Sequence, residues 1–156
     1  MSEHRKVANA PLEERTVTVR DPVLGELVFQ RSLGYYRGSC VWLKANVGIT
    51  IEAGPRMVPE KSAPCRVART LFSNAAAWDA RMRAFAAAKW DSMRAIRDLA
   101  FQPKPDDLER HFELDHARFT ERGRFHLELS CEALLGDHGI EVSGNESGPT
   151  SCRVMI

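Results

Sequence analysis

Charge of one sign, long apolar runs and paired cysteines are all missing from this sequence. Its 22 lysines and arginines are balanced by 21 aspartates and glutamates, so the net charge is only +1. Nucleic-acid binders carry a basic excess or a basic stripe, and here the arginines of residues 81–97 alternate with aspartates. No apolar run approaches the roughly 20 residues that span a membrane. We therefore predict neither a nucleic-acid partner nor a membrane partner.

Signals for export, cofactors and nucleophilic catalysis are missing as well. The first residues lead into no apolar segment, so a cytoplasmic location is expected. No C-x-x-C pair, no phosphate-binding loop with its lysine and no G-x-S-x-G motif is present. We assign no cofactor, no metal and no catalytic residue. The four cysteines are expected to be free thiols that act as small hydrophobic side chains; they are Cys40, Cys65, Cys131 and Cys152.

The sequence does contain an ordered change of pattern, from strands to helices and back to strands. Residues 1–15 are polar and aperiodic, which is typical of a flexible N-terminal arm. From residue 16 to about residue 52, short β-branched and aromatic segments alternate with turns, which predicts an antiparallel meander. A connection rich in proline separates this meander from the next part of the chain, over residues 53–64.

A central helical segment is predicted over about residues 63–101. Ser62 is placed to cap its start, and Ser73-Asn74 divides it into two helices. An apolar stripe with members three or four residues apart is expected to pack on the sheet. The main members of this stripe are Leu71, Trp78, Met82, Phe85 and Ile96.

The C-terminal part is predicted to return to the sheet. Asp106 begins a short helix, and residues 143–149 form a loop of glycine, serine and asparagine. Short strands are predicted over residues 114–120, 124–129, 140–142 and 153–156. Strands and helices do not alternate as βαβ units, so the fold class is α+β, with an antiparallel sheet covered on one face by helices. Residues 16–156 are assigned to a single domain.

Three stretches of the sequence resemble the bacterial DUF2262 family, a domain of unknown function. These stretches are Leu24–Leu27 with the aromatic strand that ends at Gly38, Trp78-Asp79 with Phe85–Ala87, and Phe125–Leu129 with residues 134–144. Similar proteins have an aromatic-Gly-His stretch before the last strand, whereas here Asp137 stands between Gly136 and His138. The resemblance implies the same α+β fold and brings no established activity with it.

Four residues are candidate binding residues: His138, Asp137, Tyr35 and Tyr36. His138 lies between two glycines and beside Asp137, and a histidine next to a carboxylate can act as a base or bind a metal. A turn histidine bonded to nearby backbone has the same pattern. Tyr35 and Tyr36 point to opposite faces of one strand, so one of them is expected to be exposed to a partner.

Three further histidines, His111, His116 and His126, lie close together in the sequence among acidic residues. A hairpin over residues 114–129 brings His116 and His126 near each other, and two imidazoles with a carboxylate can bind zinc. A polar sheet face in contact with water has the same pattern. Both interpretations stay open at the level of the sequence.

Without a catalytic constellation, the sequence favours a non-enzymatic protein-binding module, immunity-like or accessory, whose partner is another bacterial protein. The alternative is a small enzyme or metal-binding protein centred on His138 and the histidines of residues 111–126. A deep pocket or a bound metal at His138 would favour the alternative. Copurification with one partner protein would favour the module.

Overall fold

The computed structural model describes residues 16–93, 106, 110–130 and 135–155. Within these residues the chain forms one eight-stranded sheet and two α-helices. The strands are β1 (Thr18–Asp21), β2 (Gly25–Gln30), β3 (Tyr35–Trp42), β4 (Ala45–Ile51), β5 (Glu113–Phe119), β6 (Phe125–Ser130), β7 (Gly139–Asn145) and β8 (Gly148–Met155). The helices are α1 (Ala63–Ser73) and α2 (Ala75–Lys89).

The strands lie in the sheet in the order in which they occur in the chain. All neighbouring strands are antiparallel except β4 and β5, which run parallel. The predicted α+β class is confirmed, with one parallel pair in a sheet that was predicted to be antiparallel throughout. The helices explain this pair, because they lie in the connection from β4 to β5 and parallel strands need such a crossover.

The helix α1 begins at the predicted place. Ser62 Oγ accepts a hydrogen bond from the backbone N–H of Cys65 at 3.4 Å, and Pro64 occupies the first turn, where a missing N–H is tolerated. Leu71 is fully buried on the side of α1 that packs on the sheet. The helix ends at Ser73 with Asn74 as its C-cap, and α2 begins at Ala75, which confirms the predicted break.

The helix α2 packs on the sheet through the predicted stripe. Trp78 and Met82 are buried, and the Trp78 ring meets Phe125 edge-on with the ring centroids 5.7 Å apart. Phe85 is half-buried against the same core. Ile96 lies outside the described residues.

The helix α2 ends at Lys89, within the helical segment predicted to reach about residue 101, and residues 94–101 lie outside the described residues. A 3-10 turn over Trp90–Ser92 follows it, and the hydroxyl of Ser92 donates to the carbonyl oxygen of Lys89 at 2.7 Å. A side-chain bond of this kind competes with the helical backbone pattern. No helix in the described part of the chain is long and apolar enough to cross a membrane.

Residues 143–149 form a hairpin where a loop was predicted. The strand β7 continues to Asn145 and β8 begins at Gly148, whose φ of 144° is accessible to glycine. The glycines that indicated a loop therefore serve a tight connection between paired strands. The arm predicted over residues 1–15 lies outside the described residues, as does most of the helix predicted after Asp106.

Three of the four cysteines, Cys40, Cys65 and Cys152, carry free thiols, as predicted, and Cys131 lies outside the described residues. Burial raises the pKa of all three thiols, and that of Cys152 reaches about 12. A thiol with a raised pKa stays protonated and unreactive at neutral pH. These side chains therefore serve packing.

Candidate functional site

The two faces of the sheet differ in what covers them. Phe72 of α1 meets Trp42 edge-on and lies tilted against Phe119, and Trp78 of α2 contacts Phe125, so both helices lie on the same face. Side chains at the alternate positions of each strand point away from these helices. Among the described elements, no helix covers that second face.

The strand register arranges the side chains of the second face in two rows that cross six strands. One row contains Ser39, Gly48, His116, Glu128, Glu141 and Arg153. The other row contains Arg37, Thr50, Arg118, His126, Ser143 and Ser151. We call this surface the polar face. Charges of both signs alternate on it with hydroxyl and imidazole groups.

His116 is held in place by the neighbouring strand β4. Its Nε2 lies 2.8 Å from Oγ1 of the buried Thr50. Its ring lies so close to Gly48 that an added Cβ would be 2.9 Å from Nδ1. Burial lowers the pKa of His116, and the Glu128 carboxylate opposite opposes that change. His116 is therefore neutral at neutral pH and bonds as a fixed imidazole.

His126 belongs to a chain of contacts that reaches β8. Its Nδ1 lies 2.7 Å from Ser143 Oγ and 3.6 Å from Oε1 of Glu141. Ser143 Oγ donates to the same Oε1 at 3.4 Å, and Arg153 Nε donates to it at 2.9 Å. Because the hydroxyl has one proton, its bond to Glu141 requires that His126 Nδ1 carry a hydrogen, which leaves Nε2 as an acceptor. Burial, reinforced by the Arg118 charge, lowers the pKa of His126.

A family described as uncharacterised proteins conserved in bacteria, DUF2262, matches residues 21–155. The chain belongs to this family. The match confirms the resemblance found in the sequence and includes every residue of the polar face, so this surface is part of the DUF2262 domain. Neither the curated proteins nor the solved structures gave a match to the chain.

The two predicted tyrosines of this DUF2262 domain point to opposite faces, as expected. Tyr36 is fully buried beneath the helices, with its ring centroid 5.0 Å from that of Phe29. Tyr35 is half-buried and shares the side of Arg37 in β3. Of the pair, only Tyr35 can contact a partner on the polar face.

His138 and Asp137 lie in the turn before β7, apart from the polar face. Asp137 is exposed and His138 is half-buried. The backbone N–H of His138 donates to the carbonyl oxygen of Leu135 at 3.1 Å, and within the described residues its ring has no hydrogen-bond or ion-pair partner. Residues 131–134, which precede this turn, lie outside the described part of the chain. A role for His138 stays a prediction.

The three other histidines do not meet as ligands of one metal ion. His111 is exposed, while His116 and His126 lie diagonally across the β5–β6 hairpin and bond to hydroxyls on different strands. The described residues contain no group of three His, Cys, Asp or Glu side chains that could hold a metal. This arrangement is a polar sheet face, one of the two interpretations open from the sequence.

Sequence reasoning missed the hydroxyl partners of both histidines. Thr50 lies in a strand whose alternation with Ile49 and Ile51 indicates that it faces away from the core, and this signal was available. Ser143 was hidden in the predicted loop. Its place opposite His126 follows only from the register of β6 and β7.

Replacing Gly48 with alanine is expected to destabilise the fold by about 1–3 kcal/mol, because the new methyl group would collide with the His116 ring. Urea unfolding of four proteins checks this: the parent, each single variant, and the double variant Gly48→Ala/His116→Ala. The double variant should lose less stability than the two single losses added together, since the collision needs both side chains. Additive losses would contradict the packing of His116 over Gly48.

The stability of the fold is expected to decrease as the pH falls from about 7.5 to about 5.5. Burial lowers the folded-state pKa of His116 and of His126 below the ordinary value near 6.5. The unfolded chain therefore binds protons first, and stability that is complete above about pH 6.5 is lost as the pH falls through it. Urea unfolding across this pH range measures how the free energy of unfolding changes with pH.

The dependence of the free energy of unfolding on pH should become weaker in the double variant His116→Gln/His126→Gln. It should be retained in His111→Gln, because His111 is exposed and belongs to neither row of the polar face. A parent protein whose stability stays constant or rises on acidification would contradict the account of these two histidines.

Proposed function

We propose that the domain is a non-enzymatic protein-binding module, immunity-like or accessory, that works in the cytoplasm and binds another bacterial protein through the polar face. The observation that supports this is a sheet face with two rows of polar side chains from six strands, which neither α1 nor α2 covers. Such a face offers hydrogen-bond donors, acceptors and charges to a second macromolecule.

The polar face is preorganised by bonds between its own side chains. Hydrogen bonds connect four of these side chains into one group: Arg153, Glu141, Ser143 and His126. A further ion pair joins a guanidinium nitrogen of Arg118 to Oε1 of Glu52, which follows β4, at 3.3 Å. Side chains that are already fixed lose less conformational entropy on binding. Charges of both signs in fixed positions favour a folded partner with the complementary pattern.

Apolar side chains at one end of the sheet add an anchor to this surface. Val41 of β3 points to the same side as Arg37 and is 56% exposed, and Leu43 at the tip of the β3–β4 hairpin is 50% exposed. Leu43 has a φ of 57°, a conformation that costs a non-glycine residue about 1–2 kcal/mol. An exposed leucine kept in such a conformation supports a contact role, since interfaces combine apolar anchors with a polar rim.

A second candidate function, a small hydrolytic enzyme, is favoured by the short contact of 2.7 Å between His126 and Ser143. Two observations weigh against it. Ser143 is only 6% exposed, and its hydroxyl also bonds to Glu141. A nucleophile must reach its substrate, so this pair is better suited to holding the face in shape.

The proposal is tested by crosslinking and affinity capture from a lysate of the native bacterium. The test variant, Arg37→Glu/Ser151→Arg, changes exposed residues of the polar face whose side chains make no hydrogen bond or ion pair with another described residue. The matched control is Lys89→Glu, an exposed charge at the end of α2. Circular dichroism confirms that all variants are folded.

A partner captured by the parent and by Lys89→Glu, and lost by about tenfold or more in the test variant, is the expected result. Its crosslinks should map to β3 through β8. A partner that crosslinks to α1 or α2, or that all three proteins capture equally, would contradict the polar face as the binding surface. Recovery of no protein above a bare-resin control would contradict the binding function itself.

A further inference from the structure

A groove of about 560 Å³ lies between the segment that follows β4 and the start of α1. Its volume lies within the range of small-molecule sites. Its lining is mostly apolar, with contributions from Ala53, Pro55, Met57, Val58, Ala63 and Pro64. Charged side chains also line it, and they decide which ligand it suits.

The charges along the groove leave an excess of uncompensated positive charge. Glu52 is paired with Arg118 at 3.3 Å. Arg56 and Lys61 have no ion-pair partner among the described residues, and neither has Glu121. Two free cations against one free carboxylate favour an anionic ligand.

The start of α1 adds little to this attraction. Pro64 lacks an N–H, and the N–H of Cys65 is already bonded to Ser62 Oγ. The positive side chains therefore supply most of the attraction for an anion, and the helix terminus supplies little.

A buried hydroxyl next to the groove has no hydrogen-bond partner in the part of the chain that the structure describes. Tyr36 is fully buried, and within the described residues its hydroxyl makes no hydrogen bond. Burial raises its pKa, an effect opposed by the nearby N–H of Met57, so the phenol keeps its proton and can donate. The Met57 N–H itself donates to the carbonyl oxygen of Gly54 at 3.1 Å. A buried donor without an acceptor is costly, which points to an acceptor supplied from outside.

Met57 connects the hydroxyl to the groove. It lines the groove, its backbone lies beside the Tyr36 hydroxyl, and its Sδ lies 3.6 Å from Cys65 Sγ. Arg56 is its neighbour in the chain and lines the same groove. A methionine side chain is flexible and can move aside at little cost.

We propose that this groove binds a small amphipathic carboxylic acid. The carboxylate lies near Arg56 and Lys61, the hydrocarbon chain follows the apolar wall, and Met57 moves so that the Tyr36 hydroxyl donates to a carboxylate oxygen. This ligand satisfies the buried donor, the free cations and the apolar lining together. The site does not depend on a protein partner.

Isothermal titration calorimetry with decanoate, decylammonium and decanol tests the ligand class. Decanoate should bind the parent protein about tenfold or more tightly than either of the other probes. Arg56→Glu and Lys61→Glu should each weaken decanoate binding severalfold. The control Lys44→Glu lies at the tip of the β3–β4 hairpin and should leave it unchanged. Equal affinity for decanoate and decylammonium, or no measurable decanoate binding, would overturn the proposal.

The variant Tyr36→Phe separates the proposed role from simple packing. It should raise the melting temperature of the ligand-free protein, because it removes the unpartnered hydroxyl and keeps the ring. It should also weaken decanoate binding severalfold. A lower melting temperature together with unchanged affinity would show that the hydroxyl serves the free fold, and would overturn its role in the site.

Discussion

Replacing Asp21 with alanine is expected to destabilise the protein by about 3–5 kcal/mol. The Asp21 side chain is fully buried and uses both of its oxygens. Its Oδ1 accepts from the backbone N–H groups of Val23 and Leu24 at 2.9 and 3.0 Å, and its Oδ2 pairs with the Arg69 guanidinium of α1. Removing the carboxylate leaves the largely buried Arg69 guanidinium without its ion-pair partner. It also leaves the two backbone N–H groups without their acceptor.

Urea unfolding at neutral pH measures this loss, and a second ion pair provides a matched control. Glu26→Ala removes the partner of Arg20, where both side chains are mostly exposed, and should change the free energy of unfolding by less than about 0.5 kcal/mol. Asp21→Asn should fall between the two, because the amide oxygen can still accept from the turn. Equal losses for Asp21→Ala and Glu26→Ala would contradict the assigned role of the buried pair.

Trp78→Ala is expected to cost about 3–5 kcal/mol. The ring is 5% exposed, contacts Phe125 edge-on and lies 4.5 Å beneath the Arg81 guanidinium. Its removal leaves a cavity between α2 and the sheet that the remaining side chains cannot close. Thermal and urea unfolding measure the effect.

Phe85→Ala is the control for Trp78, since it removes an aromatic ring from the same helix at a half-buried position. It should cost clearly less than Trp78→Ala. A Trp78→Ala protein that melts at the parent temperature would show that α2 does not depend on this contact.

The fold was predictable where the signal is local. Alternation of Phe125 and Leu127 with His126 placed the β6 side chains on their correct faces, and Ser62 marked the start of α1. Local signals fail where glycine is compatible with both a loop and a tight hairpin turn. For this reason the connection after Ser143 was predicted as a loop. They also carry no information about which strands become neighbours.

The candidate site depends on those neighbours and was mostly beyond the sequence. His116 bonds to Thr50 across 66 residues, and His126 bonds to Ser143 across 17 residues. Both contacts need the register of the sheet, and the first needs the parallel pairing of β4 with β5. The histidines could be singled out from the sequence, but their hydroxyl partners required the topology.

The parallel pair of β4 and β5 also has a consequence for how the chain comes together. It joins two groups of four strands, β1–β4 and β5–β8. The chain between its paired residues is much longer than the chain between the paired residues of the other strand pairs. Long loops lose more conformational entropy on closure. We therefore expect the β4–β5 pairing to form late in folding and to separate early under mechanical load. A protein bound across the polar face would contact both groups of four strands. It would therefore stabilise the β4–β5 pairing and slow the separation of the two strands.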